Sequence, residues 1–234
     1  MDFSLREVAG MIDLTAVRAE DDEAEIRALA AAAIRYLPAS VFTLPAHTVL
    51  IRDLLASAPA VCIGGVVGFP SGGETTRMKA AQALELRALG CGELDMVINV
   101  GLLKSGQDQR VMEDIRAVVG AAGGAPVKVI LECYHLTDDE VRLGCELSLR
   151  GGASCVKTST GWAPAGATPH NVALIESCVG DALMIKAAGG IRSLAAIKEL
   201  YALGARRFGI GIKTAAAVFA ECESSTAAAP GGLV

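Results

Sequence analysis

Two lysines stand where carbonyl chemistry would need them. Lys157 lies in Cys155-Val156-Lys157-Thr158-Ser159-Thr160-Gly161, and Lys186 in Met184-Ile185-Lys186-Ala187-Ala188-Gly189-Gly190. Each closes a short apolar run and precedes a glycine-containing loop. An unpaired ammonium at the inner end of a buried strand loses several kcal/mol of hydration, so two in consecutive strands suggest a pair acting on each other. An amine attacks a carbonyl carbon only when neutral, and about 0.04% of an ordinary lysine is neutral at pH 7. A second ammonium about 5 Å away, at an effective dielectric of about 20, disfavours the charged form by about 3 kcal/mol. The pKa then falls by about two units and the neutral fraction rises about a hundredfold, with desolvation acting in the same direction. Such an amine can form an imine, whose iminium stabilises a carbanion at the neighbouring carbon. The competing reading is a buried ion-pair network that fixes strand register. Spacing alone leaves both open, and does not choose which lysine attacks.

The elements that must position this pair are short. Apolar runs predict strands at Gly10–Asp13, Ser40–Thr43, Val61–Val67, Glu93–Ile98, Val127–Cys133, Cys155–Thr158, Leu183–Ala187 and Arg207–Ile210. They are rich in Val and Ile, as strands buried on both faces should be. Helical periodicity fills the intervals at Asp22–Leu37, Glu74–Leu89, Asp108–Val119, Thr137–Arg150, Thr168–Val179 and Ser193–Leu203. Asp21 and Asp22 are N-cap candidates, Thr137 with Glu140 forms a capping-box pattern, and Gly90, Gly120, Gly151, Gly180 and Gly204 are stop signals. Strands alternating with helices imply a parallel sheet with right-handed crossovers. Eight units in 234 residues imply a single-domain α/β fold, a (β/α)8 TIM barrel over residues 1–222, with a tail over 223–234 expected to fray. The runner-up is an open doubly wound sheet.

In a barrel, reacting groups gather at the C-terminal ends of the strands. Lys157 and Lys186 lie near such ends, Asp95 sits among apolar residues of the fourth strand, and Asp13 is expected to end the first. Lys128 lies early in its strand, where a structural or solvent-facing role is expected. Lys79, Lys104 and Lys198 fall on helices or loops and are expected in solvent.

Composition narrows the alternatives. Apolar residues make up 52% of the chain, much of it alanine, and aromatics only 4%, which suits closely packed helices. A net charge of −5 with mixed signs shows no basic stripe for nucleic acid. The N-terminus lacks a basic segment followed by an apolar core, so no signal peptide is expected. Uncharged residues from Leu54 to Gly73 raise a membrane question, but Pro59, Pro70 and several glycines break the run into a helix end, a strand and a loop. The seven cysteines include no C-x-x-C pair and read as buried thiols of a cytoplasmic protein. His47, His135 and His170 are the only histidines. Cys133 and His135 lack a second pair at metal spacing, so no metal is expected. Gly204 to Thr214 fails the P-loop pattern and Gly64 to Gly68 fails G-x-G-x-x-G, so no nucleotide cofactor is expected.

Several segments, taken in order, resemble the deoxyribose-phosphate aldolase family from about Ile12 to Gly211. These are Ile12-Asp13-Leu14-Thr15, Gly68-Phe69-Pro70-Ser71-Gly72, Asp95-Met96-Val97-Ile98-Asn99, Val127 to Glu132, Lys157-Thr158-Ser159-Thr160-Gly161 and Lys186-Ala187-Ala188-Gly189-Gly190-Ile191-Arg192. The resemblance implies a class I aldolase of carbohydrate catabolism, working without a cofactor on a small aldehyde and a sugar phosphate, and it allows a homodimer. It implies that Lys157 forms the Schiff base, that Lys186 depresses its pKa, and that Asp95 moves protons, with Asp13 a weaker relay candidate. It makes Thr158, Thr160, Gly161, Gly189, Gly190 and Ser193 candidates for contact with the substrate; Gly209, Gly211 and Lys213 are added as candidates from the chain's own last motif.

The last motif departs from the family. A glycine- and serine-rich run usually follows the eighth strand and holds the phosphate. Here Arg207-Phe208-Gly209-Ile210-Gly211-Ile212-Lys213-Thr214 lacks the serines. Close backbone approach and a helix N-terminus would still favour an anion, with Lys213 or Thr214 replacing the lost contacts or Lys213 simply in solvent. The alternative that follows is an aldolase of the same kind acting on a different or unphosphorylated sugar; a non-catalytic barrel that binds sugar phosphates is a separate reading, which the intact Lys157, Lys186 and Asp95 disfavour. Phe42 stands where many relatives carry cysteine, so thiol-linked inactivation by aldehyde is expected to be reduced.

Overall fold

Alternation of side chains along short strands builds the frame. In the computed structural model, which describes residues 3–227, eight parallel strands close into a barrel in chain order, with the last pairing to the first. They are β1 (Ile12–Ala16), β2 (Ser40–Thr43), β3 (Cys62–Val67), β4 (Glu93–Val97), β5 (Val127–Ile130), β6 (Cys155–Lys157), β7 (Met184–Ala188) and β8 (Arg207–Gly211). The helices are α1 (Leu5–Gly10), α2 (Glu23–Tyr36), α3 (Thr48–Leu54), α4 (Thr76–Ala88), α5 (Val100–Lys104), α6 (Asp108–Ala121), α7 (Asp138–Gly151), α8 (Pro169–Val179), α9 (Leu194–Ala202) and α10 (Ile212–Ala227). Closure between β1 and β8 removes the open-sheet alternative.

The period of two divides each strand between two environments. Outward residues such as Leu14, Val41, Met96, Val129, Val156, Ile185 and Phe208 join Ile26, Leu29, Ile115, Val172, Ile197 and Val218 of the helices in one apolar core. Inward residues include Asp13, Ser40, Glu93, Asp95, Lys128, Lys157 and Lys186, all buried. The apolar core is therefore the shell between barrel and helices, and the barrel's inside is a charged layer. Gly64 makes room within it, since a Cβ there would lie 2.2 Å from the Phe42 ring.

Local signals set most helix ends. Asp22 caps α2 by accepting from the amides of Ala24 at 2.9 Å and Glu25 at 3.1 Å. Thr137 and Glu140 form the reciprocal capping box of α7. That helix ends at Gly152, whose φ is 84°, one residue beyond the expected stop. Gly151 serves another purpose: a Cβ on it would sit 2.5 Å from Ile115 of α6.

Three expectations need correction. β1 runs Ile12–Ala16 because Gly10 closes α1, so Asp13 is its second residue and lies deep in the barrel instead of ending the strand. β5 stops at Ile130, since Glu132 turns into the left-handed region at φ 57° and its carboxylate takes the Thr160 amide at 3.2 Å. Lys79 is fully buried instead of solvated, donating to Asp114 at 2.6 Å and to the Val97 carbonyl at 2.9 Å. Its spacing with buried Ala83 and Leu86 puts it on the inner helical face. Of the two roles open to Lys128, the structural one holds: it faces inward, buried among carboxylates. Lys104 is exposed and pairs with Glu140 at 2.9 Å. The expected fraying tail begins at Glu223, but α10 remains helical through Ala227; residues 1–2 and 228–234 lie outside the described part. No described helix is long and apolar enough to cross a membrane.

Candidate active site

Strand register brings the charges together. Lys157 is the Cα partner of Lys186 across β6 and β7, and Asp95 is that of Lys128 across β4 and β5. Asp95 Oδ2 accepts from Lys157 Nζ at 2.7 Å and from Lys186 Nζ at 2.7 Å. Asp13 Oδ2 lies 2.5 Å from Lys186 Nζ. Lys128 Nζ lies 2.7 Å from Glu93, 3.2 Å from Asp95 and 3.8 Å from Asp13. Arg207, opening β8, closes the layer below by donating to Asp13, to Glu93 at 3.0 Å and to Ser40 at 3.2 Å. The Phe42 ring faces two of these cations, with its centroid 4.2 Å from Lys186 Nζ and 4.8 Å from Lys128 Nζ, within the range of a cation–π contact.

The electrostatics differ from residue to residue. Burial pushes Lys157 down most, Asp95 pulls it back up, and Lys186 pushes it down again, leaving the amine at about 8. About one amine in ten is then neutral at pH 7. Desolvation therefore leads and the neighbouring ammonium supports it, the reverse of the order the sequence argument used. Burial alone would raise Asp95, but Lys128, Lys157 and Lys186 together hold it well below the usual carboxylate range. Burial likewise opposes the lowering of Asp13, which Lys186, Lys128 and Arg207 impose.

Above this layer a cavity of about 600 Å³ opens at the C-terminal ends of the strands. Lys157 lines it, whereas Lys186, wholly buried, does not. Of the residues expected at the substrate, Thr160, Gly161, Gly189, Gly190, Gly209, Gly211 and Lys213 line the wall, as does Thr214. Thr158 does not: its hydroxyl donates to the Ala188 carbonyl at 3.1 Å and accepts from the Ala188 amide at 3.0 Å, tying β6 to β7. Ser193 also stays off the wall and caps α9, accepting from the Ala196 amide at 3.2 Å.

Sequence reasoning missed part of the site. Arg18, Arg192, Thr15 and Trp162 reach the cavity. Arg18 lies 5.7 Å from the Trp162 ring centroid, and the indole donates to the Val17 carbonyl at 3.0 Å. The signal was available for Arg18, because the loop after β1 must lie on the working face of a barrel. Glu93, a partner of Lys128, and Arg207, a partner of Asp13 and Glu93, were also missed, although Glu93 shares Asp95's parity.

Comparison with known proteins places this architecture. Residues 8–220 match the model described as DeoC/LacD family aldolase. The deoxyribose-phosphate aldolase of Rhizobium meliloti is 46% identical over 97% of this chain and 90% of its own length. That of Sinorhizobium medicae is 47% identical, with the same coverage. The tetrameric structure of deoxyribose phosphate aldolase from Aeropyrum pernix superposes with a TM-score of 0.87 at 31% identity, covering 95% of this chain and 93% of that one. Mandelate oxidase structures share the barrel alone, at a TM-score of 0.62 and 14% identity. With its lysine pair inside a closed eight-stranded barrel and a family match along nearly the whole described chain, this protein belongs to the DeoC/LacD aldolase family.

Proposed function

We propose that this chain reversibly cleaves 2-deoxy-D-ribose 5-phosphate to acetaldehyde and D-glyceraldehyde 3-phosphate through an imine on Lys157. One observation carries the assignment: Lys157 alone among the cluster's lysines both touches Asp95 and faces the cavity. Its neutral amine adds to the C1 carbonyl of the open-chain sugar, and the carbinolamine loses water to give an iminium. Deprotonation of the C3 hydroxyl breaks the C2–C3 bond. The bonding pair moves toward the iminium, leaving an enamine and releasing the phosphorylated aldehyde. Protonation of the enamine and hydrolysis free acetaldehyde and restore the amine. Asp95, on Lys157 Nζ, is placed to pass protons during carbinolamine formation and loss of water. Asp13 meets Lys186 instead, so its part in proton movement is indirect.

The far end of the substrate would lie against Gly189, Gly190, Gly211 and Lys213, with Arg18 and Arg192 adding positive charge. Glu20, Asp21, Asp22 and Glu25 stand on the same cavity wall. These acids favour the second reading, in which an unphosphorylated sugar is the better substrate. Cleavage rates for deoxyribose 5-phosphate and deoxyribose decide between them. A preference of at least about a hundredfold for the phosphate ester supports the first reading, and parity or reversal supports the second. The imine itself is tested by borohydride reduction with acetaldehyde and peptide mapping. An ethyl group on Lys157 is expected; label on Lys186, or none, defeats the assignment. A homodimer and a cytoplasmic location belong to this proposal, and sedimentation equilibrium checks the former.

A further inference from the structure

The cluster inside the barrel has an odd charge. Its carboxylates are Asp13, Glu93 and Asp95, and its cations are Lys128, Lys157, Lys186 and Arg207. Fully ionised, it holds one cation more than its anions balance, where burial makes an unmatched charge costly. The distances show which cation is least matched. Lys128 has Glu93 at 2.7 Å, Asp95 at 3.2 Å and Asp13 at 3.8 Å. Lys186 has Asp13 at 2.5 Å and Asp95 at 2.7 Å. Lys157 has Asp95 Oδ2 at 2.7 Å, and Lys186 shares that same oxygen. Arg207 deepens the shortage from the opposite end of the barrel. Its Nε donates to Asp13 Oδ1 at 2.9 Å and another guanidinium nitrogen reaches Asp13 and, at 3.0 Å, Glu93. It does not line the cavity.

We propose that Arg207 is a positioning residue for the reaction: by occupying Asp13 and Glu93 it leaves the three lysines one carboxylate short, and the shortage falls on Lys157. This rests on the reading of Lys157 as the imine-forming amine. Nearly every strand enters the balance. β1 contributes Asp13, β3 Cys62, β4 Glu93 and Asp95, β5 Lys128, β6 Cys155 and Lys157, and β7 Lys186, while β2 supplies the uncharged Ser40. Burial holds the thiols of Cys62 and Cys155 above their ordinary range, so they stay neutral and do not alter the count.

The test is the pH dependence of acetaldehyde trapping on Lys157, read by borohydride reduction and peptide mass. Arg207→Met matches three lysines to three carboxylates, so the midpoint moves to higher pH and label at neutral pH falls about tenfold. Glu93→Gln, nearly isosteric, deepens the shortage and moves the midpoint the other way. Arg207→Lys keeps the wild-type midpoint. Opposed shifts support the proposal; unmoved midpoints, or shifts of one sign, overturn it. If Arg207→Met does not fold, Glu93→Gln against wild type carries the sign alone. No label on Lys157 in the wild-type protein would strike the imine assignment itself, so the two failures are distinguishable.

Discussion

The proposed chemistry turns on one amine whose pKa burial and its neighbours bring down to about 8. Since imine formation needs the neutral form, its rate should climb about tenfold per pH unit below about 8 and level above; a kcat/KM profile checks this, and a flat profile from pH 6 to 9 would contradict it. Lys157→Met should remove both activity and the trapped adduct while leaving the melting curve close to wild type. Lys186→Met takes away a cation that presses on Lys157 and frees Asp95 for it. Both effects favour the charged amine, so activity at neutral pH should fall by about tenfold to a hundredfold and partly recover at higher pH. The roles of Lys157 and Lys186 came from motif resemblance, and their proximity could be anticipated from strand order. Arg207 and Glu93 were harder to see, because partners of a buried charge come from strands far apart in sequence.

At the level of elements, small residues and buried pairs set how the strands and helices meet. Gly64→Ala would push a methyl into the Phe42 ring. The ring sits against Lys186 and Lys128, so the change should cost about 1–3 kcal/mol in urea denaturation. Lys79 and Asp114 tie α4 to α6, and the lysine also binds the last carbonyl of β4. Lys79→Met alone leaves a buried carboxylate unpaired and should cost about 3–5 kcal/mol, whereas replacing both partners with apolar residues should recover most of that loss. Chemical denaturation of both single variants and the double variant measures it. Helix caps were legible because capping is local. Asp22 and Thr137 act within three residues of themselves. The start of β1 was not, because α1 takes Gly10 for its own last turn and shifts the strand.

For the whole molecule, the charged layer ties stability to pH. Asp13 and Asp95 have native pKa values below their unfolded ones. Their contribution is thus fully present above about pH 4 and is lost as pH falls through the native values. Lys128 is raised by Asp95, Asp13 and Glu93 against the opposing effect of burial. Its contribution is present below about pH 10 and lost above its native value. Urea midpoints should therefore fall on the acid side of about pH 4, and Asp95→Asn should weaken that dependence. The barrel, its strand order and the segments that form its working face followed from the sequence alone. Period-two apolar runs, helical spacing and glycine stops are local patterns repeated along one chain. Closure decided the rest. It buried Asp13 and Lys128 inside the barrel and left Lys157 but not Lys186 facing the cavity. Those outcomes depend on which side chains share an enclosed space and how many opposite charges lie within reach, and both are fixed only when β8 meets β1.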